Sequence, residues 1–266
     1  MKKRIIFIFL LVVCVYGNLW GQVDGWRNLF NGENLENWDK YVGPVFPGHE
    51  DLGKVATADN VFSVINVNGL KMIRISGEVH GSLATKESFG NYHLQIVYKW
   101  GDEVTLERNS GLLYHSYGPL GAAFGTWMAS VECQMKHDAA GDTFLMVDSV
   151  ECTSQVKHTD GEDIYTPDGA QVQFGQRFGK RMIRNKQHAE NPLGEWNILE
   201  LYCLGQTAVH VVNGVKVMVN DNIRMRDRIP QRLTSGKLQL QSEGAELFIK
   251  DIKIKPIEVI PYELMK

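Results

Sequence analysis

The stretch NILELYCLGQTAVHVVNGVKVMV, residues 197–219, decides the fold class. It sits in three apolar runs of strand length, 196–204, 207–213 and 215–219. Asn213–Gly214 stands between the last two, and Asn-Gly is the strongest two-residue hairpin signal because both central turn residues need positive φ. The pattern spreads outward. Short alternating runs at 61–66, 70–76, 92–100, 110–116, 129–136, 144–152, 237–242 and 246–255 are separated by Gly, Asn, Asp or Pro clusters. No stretch after the first 21 residues keeps a helical stripe for three turns. Eleven strands without helices predict two packed antiparallel sheets. The 26 glycines and 10% aromatic content suit such a chain.

The totals exclude several classes. With 266 residues, 44% hydrophobic, 22% charged and a net charge of −3, the chain reads as an ordinary globular protein. There is no basic surplus to neutralise phosphates, so neither nucleic acid nor an anionic membrane is an expected partner. Lys2, Lys3 and Arg4 precede an apolar run from Ile5 to Val15, and Gly17 and Gly21 offer small residues for cleavage. This is the layout of a signal peptide over 1–21, cut near Gly21–Gln22. Asn18 interrupts the run before it reaches spanning length, and Val13 is a poor neighbour for a lipidated Cys14. Export to the periplasm or cell surface, with no membrane insertion after cleavage, is the expectation. The mature chain keeps Cys133, Cys152 and Cys203, an odd number without metal-site spacing, which reads as buried thiols. With no linker or internal repeat, 22–266 is expected to form one domain. The polar stretch 155–195 reads as a long loop.

Side chains alternate across a strand. Val131, Cys133 and Met135 oppose Glu132, Gln134 and Lys136; Leu238 and Leu240 oppose Gln239 and Gln241; Val209 and Val211 oppose His210; Leu112 and Tyr114 oppose His115; Tyr98 and Trp100 oppose Lys99. A carboxylate, amides, a lysine and two histidines sharing one face would make a groove for a polyhydroxylated ligand. The competing reading is the solvated side of an ordinary antiparallel sheet.

Several blocks carry a resemblance in order: WRNLFNGENLENW (26–38), GSLATKESFGNYHLQIVYKWG (81–101), RNSGLLYHS (108–116), MASVECQMKHDAAGD (128–142), GEWNILELYCLGQTAVHVVNG (194–214) and GKLQLQSEGAELFIKDIKIKPI (236–257). Together they resemble the 3-keto-disaccharide hydrolase family. The resemblance implies a concanavalin A-like jelly-roll sandwich with a ligand groove on its concave sheet. It implies glycoside or oligosaccharide substrates already oxidised at C3 of a glucose ring, and an upstream sugar 3-oxidoreductase to make the ketone. The implied reaction is 1,2-elimination followed by hydration, a net hydrolysis.

That chemistry needs a base near C2, stabilisation of an oxyanion at C3 and an acid for the leaving oxygen. It does not need the paired carboxylates of ordinary glycosidases, and no Glu-x-Asp-x-x-Glu strand motif occurs. Glu132, His115 and His210 are the expected catalytic residues. If those three converge they would also hold a divalent cation acting as a Lewis acid. Gln134, Asp142, Asn109, Lys99, Gln241, Trp127 and Arg181 are the expected substrate contacts, with Trp196 as a second stacking candidate and His188 and Glu190 closing over the sugar. The alternative on the same sandwich is a non-catalytic, lectin-like carbohydrate-binding module.

Overall fold

The computed structural model describes residues 25–266; the signal-peptide reading of 1–21 lies outside them. In chain order the described strands are β1 (Arg27–Asn28), β2 (Trp38–Val42), β3 (Phe62–Val67), β4 (Leu70–Ile75), β5 (Gly81–Thr85), β6 (Tyr92–Val104), β7 (Gly111–Tyr117), β8 (Ala129–Gln134), β9 (Thr143–Leu145) and β10 (Val150–Thr159). They continue with β11 (Glu162–Tyr165), β12 (Ala170–Phe174), β13 (Met182–Ile183), β14 (Asn197–Leu204), β15 (Thr207–Val212), β16 (Val215–Arg226), β17 (Pro230–Arg232), β18 (Lys237–Ser242) and β19 (Ala245–Pro256). The only described α-helices are the four-residue turns Ala58–Val61 and Tyr262–Met265. The expected all-β jelly-roll sandwich is the fold observed.

The larger sheet runs β11-β10-β16-β15-β14-β6-β19-β4-β3, and the smaller runs β13-β9-β8-β7-β18-β5-β2. β6 and β19 form its long central ladder, from Ala245↔Val104 to Pro256↔Tyr92. The FIKDIKIKP strand thus pairs with β6, β4 and β1, elements far from it in sequence. Between the sheets lies one apolar cluster, with Leu83, Leu112, Val131, Cys133, Leu238 and Leu240 from the smaller sheet against Leu94, Ile96, Leu199, Leu201, Leu247 and Ile249 from the larger. Each such side chain removed from water contributes roughly 1.5–3 kcal/mol. Cys133, Cys152 and Cys203 are buried in this cluster as free thiols.

Two parts of the expected layout change. The run 144–152 is not one strand: β9 belongs to the smaller sheet and β10 to the larger, with the crossing at 146–149. The apolar Phe144–Val147 masks the Asp148–Ser149 turn. The stretch 155–195 is not a plain loop, because it carries the end of β10 together with β11, β12 and β13. These edge strands are short: β12 alternates exposed Gln171 and Gln173 with Val172 and Phe174 over only five residues, and β11 buries only Ile164 and Tyr165, too brief a pattern to stand out in a polar stretch.

A polar network crosses the core. His210 on β15 faces the smaller sheet; its Nδ1 lies 2.9 Å from the Gly141 carbonyl and its Nε2 3.1 Å from the Tyr114 hydroxyl. A carbonyl can only accept, so Nδ1 carries the proton and Nε2 accepts from Tyr114. Asn220 Nδ2 donates to Thr143 Oγ1 at 2.7 Å and to the Tyr114 hydroxyl at 3.2 Å. Replacing Asn220 by Ala leaves buried oxygens without a donor, so a loss of about 1–3 kcal/mol is expected in denaturant unfolding. An unchanged midpoint would show that the network contributes no stability.

Candidate active site

On the outer face of the smaller sheet, alternation does what the core requires. Val131 and Cys133 of β8 point inward, so Glu132 and Gln134 point out; Leu238 and Leu240 of β18 point inward, so Gln239 and Gln241 point out. Between β8 and β18 runs β7, which presents Gly111 at this level. A Cβ on Gly111 would overlap Glu132 Oε1 and Gln241 Oε1, so the missing side chain is the hollow into which both lean. Ser110 Oγ donates to the Gln241 carbonyl at 2.9 Å and ties this edge down.

The walls rise from loops. After β8 the chain turns at Gly141, whose φ of +89° and contact with Val217 Cγ2 admit no side chain. This turn places Asp142 beside the pocket. The segment 118–128 folds over the sheet and seats Trp127 on Leu113, with its indole N–H donating 2.9 Å to the Gly81 carbonyl. Phe124 and Phe144 continue that aromatic wall, and the Arg181 guanidinium sits over them at 5.7 and 5.2 Å. His80 and Pro44 complete the enclosure. The cavity holds about 520 Å³, within the range of small-ligand sites.

Its electrostatics are unusual. Glu132 Oε1, Gln241 Oε1 and Asn109 Oδ1 are all buried without a hydrogen-bond partner. Such orphaned acceptors are costly, and several converging on one cavity are most simply met by a ligand's hydroxyls. Burial holds the Glu132 carboxyl well above the usual range, and the charges of Glu243 and Asp142 push it further. Burial also raises Asp142 to about 6, against the hydrogen bonds from Asn185 that lower it, and raises Glu243 to about 7. Lys136 and Arg184 line the same cavity: Lys136 pairs with Glu107, and Arg184 pairs with Glu162 through Nε while its Nη1 lies 3.7 Å from Asp142 and lowers that carboxyl.

The structure therefore brings together Glu132, Gln134, Asp142, Asn109, Gln241 and Trp127. Gln134 spends its oxygen on the backbone N–H groups of Met135 and Lys136. Arg181 stands behind the aromatic wall. The other expected residues are elsewhere. His115 falls at a bulge where β7 slips register against β8 and β18, and its φ of +51° turns it into the core against Tyr92 and Tyr114. His210 is on the polar side of β15 as read, but that side faces the core. Burial lowers both rings to about 4, so they are neutral. Lys99 projects from the far face of the larger sheet, over Trp196 and Phe248. Glu132, His115 and His210 thus form no cation site, and among the described residues no group of three His, Cys, Asp or Glu side chains is placed to hold a metal. Glu190 does not close the pocket: it accepts from Tyr98 Oη and the Asp138 N–H and straps the 185–192 loop beside a separate hollow that His188 also lines.

Sequence reasoning missed Glu243, His80, Phe124 and Phe144. Glu243 follows Gln239 and Gln241 at the same alternation, a signal that was present. His80 precedes a strand, β5, that the pattern did not reveal.

Residues 25–255 match the family described as the 3-keto-alpha-glucoside-1,2-lyase-like domain. The chain belongs to this family. No curated protein matches it. Among solved structures it is similar to two proteins of Parabacteroides distasonis ATCC 8503 put forward as glycosyl hydrolases. One is 20% identical, with 88% of this chain and 95% of that one covered at a TM-score of 0.49. The other is 19% identical, with 87% and 99% covered at 0.47. A β-glucanase of Bacillus licheniformis is 12% identical, with 87% and 97% covered at 0.43.

For a 3-keto-alpha-glucoside-1,2-lyase-like domain, a proton-holding acidic pocket has a measurable signature. Glu243 ordinarily titrates near 4.5 and here near 7, so the folded state binds its proton more tightly than the unfolded chain. That contribution is complete below 4.5 and lost as pH rises to 7. Glu243→Gln should gain stability relative to wild type across this window and level off above it, read by denaturant unfolding at several pH values. A difference that stays flat would refute the assignment.

Proposed function

We propose that this protein cleaves the glycosidic bond of 3-keto-glycosides by 1,2-elimination, with hydration of the resulting 2-hydroxy-glucal completing a net hydrolysis. The observation that carries the reading is the orphaned Glu132 carboxyl, buried over Gly111 beside Gln241 and Asn109 in a pocket whose other acids, Asp142 and Glu243, discourage its ionisation. The family to which the chain belongs supports it.

A ketone at C3 acidifies the hydrogen on C2. Removing that proton forms an enolate, and the enolate then expels the oxygen on C1. Charge develops on O3 and afterwards on the leaving oxygen, and both demand a proton or a donor nearby. Surroundings that raise the Glu132 carboxyl well above its usual value favour its acid form and suit it to donate a proton, in the way apolar burial keeps other catalytic carboxylic acids neutral. Glu243, near 7, is a second exchangeable proton source. Gln134, Gln241 and Asn109 would fix ring hydroxyls, and Trp127 and Phe144 would wall the apolar edges of the sugar. An oxidoreductase must first convert the C3 hydroxyl to a ketone, and the N-terminal leader would send the enzyme out of the cytoplasm to meet its substrate.

The test is product release from a 3-keto-glucoside and from its unoxidised parent, with and without a chelator. Cleavage confined to the ketone, and reduced at least 100-fold in Glu132→Gln, is expected. Binding of both sugars with turnover of neither would indicate a lectin-like module instead. In a second measurement, Gly111→Ala should fold with a stability change under about 1 kcal/mol, because its methyl meets only the tips of two side chains. Displacing Glu132 should nevertheless lower kcat/KM by tenfold or more; an unaffected kcat/KM would remove Glu132 from the chemistry.

A further inference from the structure

We infer that His80 is the base that removes the C2 proton, an assignment that rests on the elimination reading above. His80 is the residue before β5, and the backbone ladder between β2 and β5 extends to it: Gly43 N–H donates to the His80 carbonyl at 2.8 Å and His80 N–H to the Pro44 carbonyl at 3.3 Å. The side chain returns to the same oxygen, with Nδ1 2.9 Å from the Pro44 carbonyl. Because that carbonyl can only accept, Nδ1 bears the ring proton. In the neutral ring Nε2 then carries a bare lone pair, and no described protein group hydrogen-bonds to it.

The ring is held as well as oriented. Phe46 packs edge-on with centroids 4.4 Å apart and Trp127 at 5.6 Å, and Trp127 is itself pinned to the Gly81 carbonyl, the residue next to His80. Partial burial lowers the imidazole below its usual value, so the ring is neutral at pH 7 and able to accept a proton. A tautomer fixed by a carbonyl through one nitrogen, leaving the other free, is how imidazole bases are commonly prepared.

Position divides the labour. His80 lines the cavity from the β2–β5 side, whereas Glu132, Gln241 and Glu243 belong to β8 and the end of β18. A ring held in this cavity meets a proton acceptor, His80, and proton donors, Glu132 and Glu243, in the same lining. The step balances: the Nε2 lone pair takes the proton from C2, the C–H pair becomes the C2=C3 bond, and the carbonyl pair moves to O3. When the enolate collapses, the C1–O pair leaves with the departing oxygen, which takes a proton from the carboxylic acid side. Imidazolium then returns its proton to water before the next turnover.

The test separates this assignment from the reaction on which it rests. A 3-keto-1,5-anhydroglucitol has no exocyclic leaving group at C1, so removal of its C2 hydrogen is read as exchange at C2, resolved from the C4 position by NMR in D2O. Wild type is expected to exchange C2 and to cleave a 3-keto-glucoside. His80→Asn, whose amide nitrogen can still reach the Pro44 carbonyl, should lose at least 100-fold in both rates while ligand affinity stays within about threefold. His80→Ala should regain exchange on addition of imidazole, which restoration of folding alone would not explain. Thermal melts of both variants show that they are folded, and the imidazole arm decides the matter should His80→Asn misfold. Wild-type exchange rates in His80→Asn, or no rescue of His80→Ala, would overturn the role of His80. A wild type that neither exchanges nor cleaves would instead overturn the elimination reading.

Discussion

The bond from His210 Nδ1–H to the Gly141 carbonyl couples the two sheets at the point where it matters. Jelly-roll sheets are joined across their core by dispersion and water exclusion, which fix separation well and register poorly. A hydrogen bond buried in that core is directional, and losing it would strand both partners. Its acceptor lies one residue before Asp142 and five before Met146, both in the pocket lining, in a turn where Gly141 N–H donates to the Gln134 carbonyl and Gln134 N–H to the Asp142 carbonyl. With Tyr114 and Asn220 it forms a chain whose far end is Thr143 at the cavity lining. The larger sheet, remote from any ligand, thereby sets the height of the pocket's acidic wall.

On the other side of β8 the logic reverses. The core network satisfies its polar atoms, while the cavity leaves Glu132, Gln241 and Asn109 unsatisfied. A sheet optimised only for stability would fill the space above Gly111 with a side chain and surround Glu132 with cations. Instead Lys136 is paired with Glu107, Arg184 is shared between Glu162 and Asp142, and three carboxyls crowd one another. Contrast Glu151, a buried acid of the larger sheet neutralised by Arg177, Arg224 and Arg226 and held below its usual value. The same residue type is tuned in opposite directions, and of the two it is the raised one, Glu132, that lines the cavity.

Much of this was legible in the sequence. Period-two alternation identified β3, β4, β6, β14, β15, β16 and β19 of the larger sheet and β7, β8 and β18 of the smaller, and it put Glu132, Gln134 and Gln241 on one face, because the core admits only the other set. It failed for His115, since one bulge reverses the facing of every residue beyond it and nothing in GLLYHSY announces a bulge. It separated His210 correctly from Val209 and Val211 but could not say which side was the interior: the apolar residues there pack on Ile260 outside the sandwich, and the histidine takes the core. Lys99 shares a facing with no pocket residue because its strand lies in the other sheet, and sheet membership is a long-range fact. His80 and Pro44 meet through the pairing of β2 with β5, two strands too polar and short to register as such.

The three buried thiols have a consequence for how the molecule is made. Cys133, Cys152 and Cys203 are each sealed in the apolar core, unpaired, and burial raises Cys152 and Cys203 to about 12. Exchange with a disulfide requires a thiolate and an approach path, and neither is on offer once the sheets have closed. Among the described residues the native sandwich therefore contains no bridge for an oxidant to make. Once folded, these three thiols give a disulfide exchange partner nothing to attack, whatever the redox poise around the protein.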